Sequence, residues 1–146
     1  MRAIDTNVLV RLITRDDERQ VETAEEFVSK GAWVSHLVLA ETSWVLDSVY
    51  DRTPEQIAKA IGMLLDHQQL AIQDQDVVEV ALEKFRKNKR VSFSVLLTLE
   101  IARKNGHVPL GSFDRQLAKL EGIQRLSPRP TIKPSISRRR SYPRRK

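Results

Sequence analysis

The chain contains no cysteine. A disulfide framework and a thiolate metal site are both excluded, oxygen and imidazole remain as metal donors, and a reducing cytosol is the compartment that fits. No uninterrupted apolar run approaches the roughly 18 residues of a membrane helix. The first residues lack a basic segment leading into a long apolar one, so a soluble, unexported, cytoplasmic protein is expected, with no membrane partner. Glycine is scarce, at 5 of 146 residues, and no glycine-rich phosphate loop occurs. His36, His67 and His107 have no second histidine at metal spacing and read as surface or turn residues. Ser43, Ser92 and Ser94 lack the base and orienting acid of a nucleophile.

What is present divides along the chain. The net charge is +6, yet residues 1–127 carry 17 basic and 19 acidic side chains. The excess sits in Arg129, Lys133, Arg138, Arg139, Arg140, Arg144, Arg145 and Lys146. Length allows one domain with a real core. We therefore expect a domain over 1–127 and a basic tail rich in Pro, Ser and Arg over 128–146. The isolated apolar residues of that tail do not repay the entropy of ordering, so it is expected to be disordered or held by a partner. It reads either as an electrostatic arm for RNA or DNA or as an incidental extension.

Within 1–127, short apolar runs alternate with helical patterns. This is the signature of an α/β fold with a mainly parallel central sheet of four to five strands flanked by helices. The first strand ends at Ile4-Asp5. Helices are expected over Val8–Ile13, Asp17–Lys30, His36–Tyr50, Pro54–His67, Asp74–Lys87 and Phe93–Lys104, with strands at Ala32–Val34, Leu70–Ile72 and Val108–Leu110. A last helix through Leu120 and a strand at Ile123 complete the domain. Gly31 is a natural helix stop, and Ser35 and Thr53 are natural caps. Trp33 and Trp44 read as core or dimer-contact aromatics rather than base-stacking platforms.

Three acids stand out. Asp5 and Asp114 both follow short strands, and residues at the carboxyl ends of parallel strands overlook the crevice where α/β proteins bind ligands. Glu41 shares a helical face with Leu37, Trp44 and Val45 and so interrupts an apolar stripe, which requires a partner for its charge. The plainer alternatives are helix capping for Asp5, Thr6 or Asn7 and a salt bridge for Glu41. Together the three acids suit Mg2+ or Mn2+, which accept carboxylates and leave other positions to water and substrate phosphate. Thr6, Asn7 and Ser112 adjoin them and are expected to orient them.

The segments Ile4-Asp5-Thr6-Asn7-Val8-Leu9, Ser35 with Ala40-Glu41-Thr42, and Gly111-Ser112-Phe113-Asp114-Arg115 resemble the PIN-domain family, in particular VapC-type toxins of bacterial toxin-antitoxin pairs. The resemblance spans residues 1 to about 126. It implies a PIN-like, Rossmann-like three-layer fold and an endoribonuclease dependent on Mg2+ or Mn2+, with Asp5, Glu41 and Asp114 as catalytic metal ligands. It further implies an RNA substrate, a homodimer, and an antitoxin protein that inserts a peptide into the acidic site. One departure stands against this. The family places an aspartate early in the penultimate long helix, where this chain reads Ser92-Phe93-Ser94-Val95, and valine binds no metal. Asp74 and Asp76 are candidate substitutes, although acids there also favour a helix N-terminus. The alternative is an inactive PIN-like binding module that dimerises and holds an antitoxin-like partner or RNA. An aspartyl phosphatase of the haloacid-dehalogenase kind fits less well, because Asn7 occupies the place of its second aspartate.

Overall fold

Five of the six α-helices among the described residues start on a side-chain oxygen. Asp5, Asp17, Ser35, Thr53 and Ser92 each accept a bond from the backbone N–H three residues on, at Val8, Gln20, Val38, Gln56 and Val95. Each bond satisfies one orphan donor of a first turn. The computed structural model describes residues 1–131, so the expected tail lies almost wholly outside the described residues. In order the elements are β1 (Arg2–Ala3), α1 (Thr6–Thr14), α2 (Glu18–Val28), β2 (Ala32–Val34), α3 (His36–Ser48), α4 (Pro54–Asp66), β3 (Leu70–Ile72), α5 (Gln75–Lys87), α6 (Phe93–Lys104), β4 (Leu110–Ser112), a 3-10 turn (Arg115–Lys119) and β5 (Ile123–Arg125).

The α/β class and the alternation of helix with parallel strand are as expected; the joining of the strands differs. β1, β2 and β3 form one parallel ladder, with Ala3 opposite Trp33 and Trp33 opposite Ala71. β4 and β5 pair with each other, also in parallel, with Leu110 opposite Ile123. Among the described residues the strands thus make two hydrogen-bonded groups in place of one sheet of four to five strands. β1 is two residues long and exposed, so it offers little ladder to a second neighbour. β4 starts two residues later than expected, since Pro109 has no N–H and pairing begins with Leu110, whose N–H donates to the Gly122 carbonyl at 2.7 Å.

Leu9, Val34, Val78, Ala81 and Leu96 are fully enclosed between the ladder and the helices. Phe85 of α5 meets Phe93 of α6 edge to face at 5.9 Å, an arrangement worth about 1 kcal/mol beyond area burial. α3 turns a different face inward from the expected one. It buries Leu39, Thr42, Ser43 and Leu46, while Leu37 and Trp44 are 77% and 62% exposed. The Thr42 and Ser43 hydroxyls donate back to the carbonyls of Val38 and Ala40, both at 2.7 Å. Satisfied within the helix, those polar residues enter the core at little cost, and the stripe bearing Glu41 faces solvent. Trp33, 38% exposed, is likewise not a core residue.

Glu100 is a buried acid that periodicity does not single out. Only 5% exposed, its carboxylate accepts from Lys84 Nζ at 2.6 Å and Arg103 Nε at 3.3 Å. Arg103 also donates to the Glu121 carbonyl at 3.0 Å, so one enclosed charge ties α5, α6 and the turn into β5. An ionised carboxylate stays in such a place only with partners. Lys84→Met leaves it with one, and the expected loss in urea unfolding is about 2–3 kcal/mol, less than for a fully enclosed pair because Lys84 is 32% exposed. Lys89→Met, at the exposed pair with Glu55, should show no comparable loss.

Candidate active site

Parallel pairing brings the carboxyl ends of β1, β2 and β3 to one edge. Ile4 extends β1 inward, donating to the Trp33 carbonyl at 3.1 Å, and is 6% exposed. Asp5 then leaves the strand and caps α1, its Oδ1 accepting from the Val8 N–H at 3.4 Å. The capping alternative is therefore real, and it fixes where the carboxylate stands without consuming its other oxygen.

The next residue makes the central contact. Thr6 is buried at the first position of α1, and its hydroxyl donates to Glu41 Oε1 at 2.6 Å. A bond this short to an ionised acceptor is of the strong, charge-assisted kind. It holds the exposed carboxylate of α3 one residue from Asp5. Asn7 is exposed and, with Asp5, Arg11 and Phe27, lines a cavity of about 670 Å³ between α1 and α2. Arg11, the cation of that wall nearest in sequence to Asp5, is engaged elsewhere by Asp16, by Gln20 Oε1 at 2.6 Å and by the Tyr50 hydroxyl at 3.2 Å. The Asp16 carboxyl is held below its usual range, first by the Thr14 hydroxyl and then by Arg11 and Tyr50. Its contribution to stability is complete above the ordinary carboxyl range and fades as pH falls through the lowered value.

Asp114 sits apart from this pair in the bonding pattern. It caps the 3-10 turn, accepting from the Gln116 N–H at 2.8 Å, while its own N–H donates to Ser112 Oγ at 3.0 Å. Among the described residues no salt bridge reaches Asp5, Glu41 or Asp114, and no three His, Asp or Glu side chains stand close enough to hold a metal ion. Asp5 and Glu41, two hard oxygen donors without cationic partners, suit the one or two carboxylates that Mg2+ ordinarily takes from protein. Asp114 is not gathered with them into a three-acid set.

Val95 lies in the first turn of α6, half buried against the core. Asp74 and Asp76 are occupied by Lys104, at 3.2 and 3.5 Å, and this raises the lysine pKa, chiefly through the bond to Asp74. His36 differs from the ordinary surface or turn residue that the sequence suggests. It is half buried, its Nε2 has no hydrogen-bond partner, and that nitrogen stands 3.8 Å from Asp74 Oδ2. The available signal is positional, because His36 and Asp74 each stand two residues beyond β2 and β3. His67 is the expected turn residue, its Nδ1 accepting from Gln69 at 3.0 Å.

A model of the PIN domain matches residues 3–123. The chain belongs to the PIN domain family. PIN domains are nucleases, typically dependent on divalent metal, and the α/β architecture with parallel strands agrees with that membership. No curated protein and no solved structure matches this PIN domain. Among the described residues no helix is long and apolar enough to cross a membrane.

If the Thr6 hydroxyl is what positions Glu41, Thr6→Val should lower urea stability by about 1 kcal/mol, the modest figure that applies where water can replace the missing donor. Thr6→Ser should retain most of it. A larger loss in Thr6→Ser than in Thr6→Val would place the effect in packing.

Proposed function

We propose that this PIN domain is an endoribonuclease dependent on Mg2+ or Mn2+, the toxin component of a toxin-antitoxin pair, with its activity reduced by valine at position 95. The observation that supports it most is the pair of uncompensated carboxylates, Asp5 and Glu41, linked through Thr6 at the carboxyl end of β1. In this reading Asp5 and Glu41 hold the metal, and Asp114, which the structure leaves outside their group, joins them only through the family resemblance. When bound, the ion supplies Lewis acidity toward the scissile phosphate and toward the attacking water. The chain's own part is positional. The cap on α1 fixes Asp5, and the Thr6 hydroxyl aims Glu41. Ser112 steadies the Asp114 backbone, and Asn7 lines the adjoining cavity. Without a cation these acids repel a polyanion, so substrate and metal enter together.

A partner protein and a second copy of the chain belong to the same proposal. Leu37, one helical turn before Glu41, and Phe113, next to Asp114, are 77% and 64% exposed and offer apolar contact to an antitoxin-type segment lying over the acids. The second reading, a PIN-like module that binds without cutting, is favoured by Val95, which packs where the family carries a carboxylate.

Cleavage of structured RNA with Mn2+ separates the two. Asp5→Asn should reduce the rate about 100-fold or more, in keeping with the several kcal/mol that such an ion supplies, and Val95→Asp should raise it together with Mn2+ affinity in calorimetry. A Val95→Asp protein that neither cuts nor binds Mn2+ would leave the binding module as the surviving reading.

A further inference from the structure

One depression of the surface is lined by cations alone among its charged residues. Between the C-terminal end of α5 and the 3-10 turn runs a groove of about 710 Å³ whose lining includes Arg86, Lys87, Lys89, Arg90, Arg115 and Lys119 and no acid. Six of the 17 basic residues of 1–127 therefore face one depression, in a segment with more acids than bases. Among the described residues only Lys89 of the six has an ion-pair partner, Glu55 at 2.9 Å on the rim.

Local helix electrostatics accounts for part of this. Arg86 and Lys87 stand in the last turn of α5, where the dipole favours cations. Lys89 and Arg90 lie beyond that helix. Arg115 opens the 3-10 turn, the end where a cation is disfavoured, and Lys119 comes from the same separate element. Like charges brought together from two elements repel one another and call for a shared anionic partner. Lys89 and Arg90 also line a neighbouring cavity of about 310 Å³ with Trp44, Ser92 and Ser94 and one acid, Asp47. Trp44 is 62% exposed and stands on α3 three residues past Glu41, on the same helical face. The two cavities share Lys89 and Arg90, and the second is lined by an indole one helical turn from Glu41.

We propose that this groove docks the phosphodiester backbone of single-stranded RNA and that Trp44 stacks a base at its end, delivering the strand toward Glu41. The inference deepens the nuclease reading and rests on it for the identity of the polyanion. Phosphate contacts of this kind set position and carry no sequence information; the stacked indole is equally tolerant of base identity. An acidic peptide would satisfy the cations but has no use for an exposed stacking surface beside them.

The test uses the full chain carrying Asp5→Asn, without divalent metal, and a short fluorescent single-stranded oligoribonucleotide of mixed sequence, with binding followed by anisotropy between about 50 and 200 mM salt. Lys87→Glu, Arg90→Glu and Lys119→Glu together should weaken binding at least about tenfold. They should also reduce the slope of log affinity against log salt by about 2, since each neutralised phosphate of a single strand contributes about 0.7. Residues 128–146 are the same in both proteins, so the difference reports the groove. The corresponding glutamine variant, with folding checked by circular dichroism, should lower the slope similarly. Trp44→Leu should weaken binding roughly tenfold with the slope unchanged; unaltered affinity there removes the stacking contact. A salt slope indifferent to the charge changes overturns the groove, as does fluorescent polyglutamate binding that depends on those charges while RNA binding does not. Cleavage by the chain with Asp5 intact and Val95→Asp introduced is scored alongside. Groove-dependent binding without metal-dependent cleavage retains the groove and removes the nuclease reading, and cleavage with an unaltered slope does the reverse.

Discussion

A single hydroxyl joins the sheet to the helix that carries its second acid. Thr6 is enclosed where β1 gives way to α1, and its bond to Glu41 crosses 35 positions of sequence. Because Asp5 is set by the cap one residue earlier, the two carboxylates share one mechanical reference, the first turn of α1. The rest of the region is built outward from that turn. Ile4 secures it below through Trp33, and Arg11, directed to Asp16, Gln20 and Tyr50, leaves the acids unneutralised. Mutual repulsion between them is tolerated because both are exposed to water.

Much of the architecture is legible in the sequence because it rests on local chemistry. Ser35, Thr53 with Pro54, and Gly31 announce helix boundaries through caps and a positive φ of 95°, and none of these needs knowledge of distant contacts. The first helix begins two residues before its apolar pattern suggests, because the Asp5 cap creates a turn that hydrophobic spacing does not see. The facing of α3 escapes its apolar pattern for a related reason. Thr42 and Ser43 look polar in a string of letters, yet their hydroxyls are satisfied by their own helix. Glu100 is invisible in the same way, since its burial depends on Lys84 from a neighbouring helix. Which acids lie near one another is a tertiary fact. Strand ends and helical spacing single out Asp5, Glu41 and Asp114, but they do not reveal that Asp114 stands apart from the other two.

The segregation of charge gives the surface a direction. Asp5 and Glu41 stand at the carboxyl end of β1, and five cations without ion-pair partners among the described residues, Arg86, Lys87, Arg90, Arg115 and Lys119, line the groove where α5 stops and the 3-10 turn begins. The local potential of such a groove attracts anions, and the attraction weakens as ionic strength rises. His36 and Asp74, one step along the same strand edge, form a third polar group held at 3.8 Å, distinct from the pair that Thr6 organises.

Glu100 and Val95 lie on the same helix, five positions apart. The Lys84–Glu100–Arg103 triad anchors the later turns of α6, and Ser92 caps its first. Position 95 lies between those two anchors, half buried against the core. The stability of α6 is thus vested in its cap and in its later turns, away from the position where the family pattern departs.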